Sequence, residues 1–241
     1  MKLTIQPAYY ARTGDLVGDI LTVLHLPYTA WHLSYVVFGA AVVGELDWTR
    51  LVGTLLAFFA GTGIAAHALD ELNDRPLGTG LSDAALIGLA GVGFLVALAV
   101  TVAGVLLISP WVAAWAVVGF VLAAAYPLEW FGGRIHTNLG FGLAWGGFPV
   151  LVGAWAQAET LTAPIIGVAL AATLLSLAQR ALSTPARCVR READDVVLEV
   201  LRGDSQQRWS REELLATWES PLRLLAWSIV VLSVSLLLAQ V

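Results

Sequence analysis

The sequence predicts an all-α membrane protein, a polytopic bundle of about seven transmembrane helices, and three observations predict it. Of 241 residues, 58% are hydrophobic and only 13% are charged, with a mean hydropathy of +0.78. A soluble domain carries about 25% charged residues. Several apolar runs reach the ~20 residues that span a bilayer. Finally, the basic residues fall almost entirely on one side of the bundle once seven spans are drawn.

The predicted spans, in order, are Ile20–Gly44, Leu51–Leu69, Ala84–Ile108, Trp111–Tyr126, Leu139–Gln157, Thr162–Leu182 and Pro221–Val241. Residues 1–19 are polar and mixed, with no short apolar core or small-residue cleavage site, so they are expected to stay as a cytoplasmic segment. Pro27 and Pro149 lie within apolar runs and predict kinks. Pro110 and Pro164 fit first-turn positions, where a missing N–H is harmless. Ser82 reads as the cap of the third span. Short connections join spans three to four and five to six, as suits antiparallel neighbours. Trp31, Trp48, Trp130, Trp209 and Trp218 are expected at the membrane interfaces. Glycine pairs such as those in "GTGIAA" and "GGF" predict close helix packing.

The loop 183–220 is expected to hold amphipathic helices on the membrane surface or over a cavity. One would cover "RCVRREADDVVLEVLRG"; the other would start at Ser210, with Glu213 completing a capping box. The whole chain then forms one integral membrane domain.

Lys2, Arg12, Arg75, Arg134 and every arginine from Arg180 to Arg223 share one side, against Arg50 alone on the other. Positive residues stay in the cytoplasm. The expectation is a multi-pass protein of the cell membrane, with its N-terminus inside and its C-terminus outside. Cys188 is the one cysteine, so no intrachain disulfide or zinc-ligand spacing exists. No basic stripe points to nucleic acid.

The stretch "HALDELNDRPLGTG", residues 67–80, closes the second span with carboxylates. On a continuous helix His67, Asp70, Glu71 and Asp74 fall at i, i+3, i+4 and i+7, on one face. Like charges repel, carboxylates near hydrocarbon are costly, and a helix C-terminus is the wrong end for anions. Together these predict a bound cation. Mg2+ is the first choice, since it bridges carboxylates to substrate phosphates. His67 would suit Zn2+, Fe2+ or Mn2+ better. The same stretch also reads as solvated carboxylates with an Asp74–Arg75 surface ion pair. The following glycine-rich turn can hold a phosphate on its N–H groups or be a plain turn.

"AHALDELND" and "RPLGTGLS" together resemble the aspartate-rich motif and the arginine-proline-leucine motif of UbiA-type intramembrane prenyltransferases. "LHLPYTAWHLSYVVFGAA" is similar to that family's first helix, and "AYPLEWFGGRIHTNLGFGLAWGGFPVLVGAWA" to its fourth-helix end and fifth helix. The resemblance covers most of residues 20–182. It implies a helical bundle with a cavity opening sideways to lipid. There, a prenyl group would pass from an isoprenyl diphosphate, held through Mg2+, to an aromatic or other lipid-soluble acceptor. Asp70 and Asp74 match two of the motif aspartates and become the catalytic metal ligands, with Glu71 and His67 as auxiliary ligands. Arg75, Arg134, His136, Asn138, Arg180 and Arg187 are the candidates for contact with the phosphates or the acceptor.

The chain departs from the family pattern in four places. Ala66-His67 stands where Asn-Asp is usual, and Glu129 replaces a basic pair. The second aspartate-rich motif is missing, with "AQRALSTPARCVRR" in its place and no aspartate before Asp194 and Asp195. Two further helices are also missing. Arginines can contact phosphate directly and bidentately, which offers a substitute for the second metal; they can equally anchor anionic lipid head groups. His25 and His32 read as hydrogen-bonded packing residues. Two alternatives stay open. One is a non-catalytic UbiA-fold protein that binds lipid or quinone or serves assembly, with a lipid-exposed flank for self-association as a homo-oligomer. The other is a transition-metal enzyme using His67, Asp70, Glu71 and His136.

Overall fold

Short polar side chains start most of the helices. Asp15, Asp47, Ser82 and Thr137 accept hydrogen bonds from the backbone N–H groups of Gly18, Arg50, Ala85 and Gly140. Each thus satisfies an amide that the first helical turn leaves unpaired. The computed structural model describes residues 6–12, 14–202 and 205–240. Lys2, Gly203 and Val241, which entered the expectations above, lie outside the described residues.

The helices are α1 (Leu16–Val23), α2 (Leu26–Ala41), α3 (Trp48–Leu72), α4 (Asp83–Leu107), α5 (Val112–Ala125), α6 (Asn138–Ala158), α7 (Ala163–Arg191) and α8 (Arg211–Leu238). Two strands, β1 (Leu198–Arg202) and β2 (Ser205–Trp209), form an antiparallel pair between α7 and α8. Among the described residues, five helices are long and apolar enough to cross a membrane: α3, α4, α6, α7 and α8. At 16 and 14 residues, α2 and α5 are shorter than the usual span.

Helix α2 is the centre of the bundle. Trp31 and Tyr35 are fully buried and pack with Val150 of α6, Ala169 and Ala172 of α7, and Ala226 and Ile229 of α8. Trp31 was expected at an interface; instead its indole N–H donates to the Tyr35 hydroxyl in the core. Gly39 and Gly153 allow α2 and α6 to touch backbone to backbone. A Cβ on Gly39 would overlap the Val150 carbonyl oxygen, and one on Gly153 the Val36 carbonyl. Gly39→Val should therefore cost about 3 kcal/mol by overpacking. Its thermal midpoint in lipid nanodiscs, compared with that of the native chain, checks this.

Three expectations about the path of the chain are corrected. The first span breaks at His25, whose backbone is left-handed (φ 47°, ψ 44°), so Pro27 falls in the first turn of α2 rather than kinking a longer helix. Pro185, expected beyond the end of the sixth span, and Pro221, expected as the first residue of the seventh, lie inside α7 and α8, which run through them. Among the described residues of 187–202 no separate amphipathic helix forms: α7 continues to Arg191, and the β-branched run around Val196, Val197 and Val200 leads into the hairpin. Glu199 faces Arg208 across that hairpin with an ion pair of 2.8 Å. The capping box at Ser210 and Glu213 forms as expected, but it opens the long α8.

Both α3 and α6 contain wide π-helical turns, at Phe59–Ala66 and Leu143–Gly147. Such turns free a carbonyl from the helical ladder and often mark functional places. In α6 the Trp145 carbonyl lies 2.8 Å from His32 Nδ1, which satisfies it.

Candidate functional site

A chamber of about 140 Å³ lies where the wide turns of α3 and α6 meet the last turns of α7. Residues 7–10, ahead of α1, form one wall. Arginines supply its charge: Arg180, Arg187, Arg190 and Arg191 line it against two carboxylates, Asp70 and Glu219. Two positive charges are thus left over, an arrangement that favours an anionic occupant.

The four guanidiniums are not equivalent. Arg190 forms a two-pronged pair with Glu219 and donates to the Gln6 carbonyl at 3.1 Å. Arg191 donates to the Pro7 carbonyl at 3.1 Å. Arg180 donates to Asn138 Oδ1 at 2.7 Å and to the Tyr126 hydroxyl, and lies over the Phe141 ring. Arg187 has one long bond, 3.3 Å, to Thr184 Oγ1 of its own helix. Arg187 and Arg191 thus each make one hydrogen bond among the described residues, and that of Arg187 is the longer. Asp70 sits in the field of Arg187 and Arg191 and makes no hydrogen bond or ion pair among the described residues.

The predicted cluster at the end of α3 separates into different environments. His67 and Asp70 line the chamber. Glu71 turns away from it and is fully buried. It accepts hydrogen bonds from Leu77 N (2.8 Å), Thr79 N (2.8 Å) and Thr79 Oγ1 (2.9 Å). Positions i+3 and i+4 differ by ~100° around a helix, enough to point neighbours into different surroundings. Helix α3 ends at Leu72, so Asp74 lies beyond it, exposed and with φ of 63°. The common face of four acidic and imidazole groups is therefore reduced to two residues.

The other candidates divide likewise. His136 lines the chamber, stacked on Tyr126 with ring centroids 4.4 Å apart. Arg180 and Arg187 line it too. Asn138 is exposed and acts through Arg180, whose guanidinium it orients. Arg134 is exposed and outside the lining. Arg75 binds the Leu81 carbonyl and the Asp83 carboxylate and stays outside the chamber, as do the exposed Asp194 and Asp195. The glycine-rich turn does not offer its amides to a phosphate: Leu77 N and Thr79 N bond Glu71, and Gly80 N bonds Asp19 at 2.9 Å.

Several lining residues, among them Tyr9, Tyr10, Tyr28, Gln179 and Glu219, were absent from the sequence candidates, and His25 was read only as a packing residue. The signal for His25 was local, since Pro27 two residues on restricts helix continuation and marks a break. The rings of His25 and His67 stack with centroids 4.3 Å apart. Nothing local distinguishes Gln179 or Tyr10; only tertiary packing brings them in.

A second cavity of about 500 Å³ lies among α3, α4, α5 and α6, walled by apolar groups such as Phe58, Trp115, Phe120, Phe148 and Trp155. Thr62 and Trp145, one from each wide turn, line both cavities. A charged chamber and an apolar groove thus share a wall.

Among the described residues, no group of three or more His, Cys, Asp or Glu side chains is placed to hold a metal ion. Asp70 is the one carboxylate in the chamber that no arginine pairs. That suffices for an ion that arrives on a phosphorylated ligand, because Mg2+ uses one or two carboxylates plus substrate phosphates. Compared with known protein families, with curated proteins and with solved structures, the chain matches none.

Proposed function

We propose that the chain is a divergent UbiA-like membrane prenyltransferase, transferring an isoprenyl group from an isoprenyl diphosphate to a lipid-soluble acceptor. In this reading all seven helices α2 to α8 cross the membrane and the arginine-rich end faces the cytoplasm. One observation carries it: a chamber with excess positive charge adjoins a larger apolar groove across Thr62 and Trp145. An amphiphile with an anionic head and a hydrocarbon tail has the matching distribution.

The chemistry follows from that distribution. Cleaving the allylic C–O bond leaves its electron pair on the diphosphate, and charge grows on the phosphate oxygens. Arg187 meets that charge with unused donors, while Arg180 and Arg191 are pre-oriented by Asn138, Tyr126 and the Pro7 carbonyl. Aromatic walls from Tyr126, Phe141 and Trp145 keep water from the carbocation until the acceptor forms the new bond and passes its displaced proton to the released diphosphate. Asp70 would hold Mg2+ against the diphosphate, and that ion would add to the neutralisation of the leaving group. Zn2+, Fe2+ or Mn2+ chemistry has less support, because Glu71 is committed to the backbone of the next turn.

The test is direct. Purified protein in nanodiscs should bind farnesyl diphosphate saturably and, with Mg2+ and an acceptor lipid extract, release diphosphate. Absence of binding removes the reading. Binding without release under any divalent ion selects the second one, a non-catalytic binder of anionic lipids, which the single free carboxylate in the chamber favours.

A further inference from the structure

The arginine-lined chamber occupies one end of the bundle; the other end carries the opposite charge. The connections there, residues 42–47, 108–111 and 159–162, hold Glu45, Asp47 and Glu159 and no lysine or arginine. Arg50, in the first turn of α3, is the one base near them among the described residues. It stands 3.6 Å from Asp47 and 3.6 Å from Glu159, while its Nη1 donates to the Ala156 and Gln157 carbonyls. One guanidinium shared between two carboxylates leaves negative charge over, which draws cations to this end.

A recess of about 490 Å³ opens there between α5 and the end of α6. Trp111, Ala114, Trp115 and Val118 line it from α5, at i, i+3, i+4 and i+7 on one helical face. Trp155 and Glu159 line it from α6, one turn apart, with the Glu159 amide donating to the Trp155 carbonyl at 2.7 Å. Glu159 ends that helix in a left-handed conformation (φ 52°, ψ 25°), where glycine is the usual residue. A carboxylate is thereby set beside an indole.

Tryptophans at a membrane boundary commonly serve as anchors, and Trp111, 70% exposed, has such a place. Trp115 and Trp155 do not. Both are half-buried, and they meet across the gap between their helices with ring centroids 6.0 Å apart and planes at 46°. An indole attracts a cation within about 6 Å of its centroid, so one cation fits within reach of both rings. The same two indoles line the apolar groove, which offers room for a hydrocarbon attached to that cation.

We infer that Trp115, Trp155 and Glu159 form a site for a quaternary ammonium group, free or on a lipid head. A trimethylammonium donates no hydrogen bond, so it leaves water more readily than a primary ammonium and needs only ring faces and an opposite charge. The recess supplies those two things. The site lies far from the chamber and needs neither a diphosphate nor a reaction there.

The experiment is a 19F NMR titration of the full chain, labelled with 5-fluorotryptophan, in phosphatidylglycerol nanodiscs at constant ionic strength. Single Trp→Phe variants assign the resonances. The probes are choline and 3,3-dimethylbutan-1-ol, which differ only in nitrogen for carbon. Choline should shift the Trp115 and Trp155 signals saturably and bind roughly 10-fold more tightly than the alcohol, as a cation over partly desolvated rings does. W155L should remove most of that preference, and E159Q should reduce it about 3-fold, as loss of an exposed charge pair does. W227L, at a tryptophan of α8 that is 70% exposed, should leave it unchanged. In phosphatidylcholine discs, loss of the choline response assigns the site to the lipid head group, and an unchanged response assigns it to a soluble cation. Equal affinity for the two probes, shifts confined to other tryptophans, or an undiminished preference in folded W155L and E159Q overturns the site. If W155L does not fold, E159Q and the native ratio decide.

Discussion

Arg187→Gln is expected to weaken binding of an isoprenyl diphosphate by roughly 10- to 100-fold while leaving the fold intact, since hydrogen bonds to charged groups are worth about 1.5–3 kcal/mol. The selectivity of the effect comes from what each guanidinium already does. Arg187 gives one 3.3 Å bond to an exposed threonine, so little protein structure depends on it. Arg190 is the contrast. Its removal leaves Glu219, a carboxylate only 7% exposed, with Arg223 at 3.7 Å as its remaining ion-pair partner, and loss of one partner of a buried pair costs up to about 3–5 kcal/mol. A binding titration and a thermal melt on R187Q and R190Q should therefore give opposite patterns: lost affinity with normal stability, then lost stability. Asp70→Asn sharpens the comparison. It removes a negative charge from the chamber, so metal-free diphosphate affinity should hold or rise, whereas Mg2+-dependent release should disappear. Unchanged release in D70N would take Asp70 out of the reaction.

Glu71→Ala should destabilise the protein by about 3–5 kcal/mol, because it strands three buried donors at about 1–3 kcal/mol each. The donors belong to Leu77 and Thr79, so the turn between α3 and α4 loses its anchor. Glu71→Gln keeps one accepting oxygen but sets an amide N–H against a backbone N–H, and should fall between the two. Unfolding in nanodiscs with and without Mg2+ is the measurement. A metal ligand would show its deficit only with the ion present; a backbone anchor shows it in both. A folded, normally stable E71A that had lost metal-dependent activity would reverse this assignment.

Much of the helical framework was legible, and for identifiable reasons. The α4 helix was readable from its apolar length and the Ser82 cap, and the start of α8 from the Ser210–Glu213 box. Such signals are local. The hairpin at 198–209 was not, because its short strands lie in a charged stretch where helical and strand periods compete. Pro185 and Pro221 misled for the same reason: proline usually ends a helix, but neighbouring helices can supply the packing that carries one through. For the site, Asp70, His67, His136, Arg180 and Arg187 were found by charge and chemical type, and they do meet. Asp74 and Glu71 were grouped with them by assuming that α3 continues past Leu72 and that one face stays one face. The partners that decide otherwise, Leu77, Thr79 and Asp19, are contacts across a turn that no spacing rule encodes.

The wide turns of Phe59–Ala66 have a consequence for evolution of this helix. A π turn is an α-helix with a surplus residue folded into it, so taking one residue out of that stretch would let regular winding resume. Everything downstream would then swing by ~100° about the axis, carrying His67 off its stack with His25 and Asp70 toward a different neighbour. The phase of the reactive end is stored in an indel rather than in the identity of any one side chain. Relatives of this chain could gain or lose the pocket by a single codon, with every residue in it unaltered.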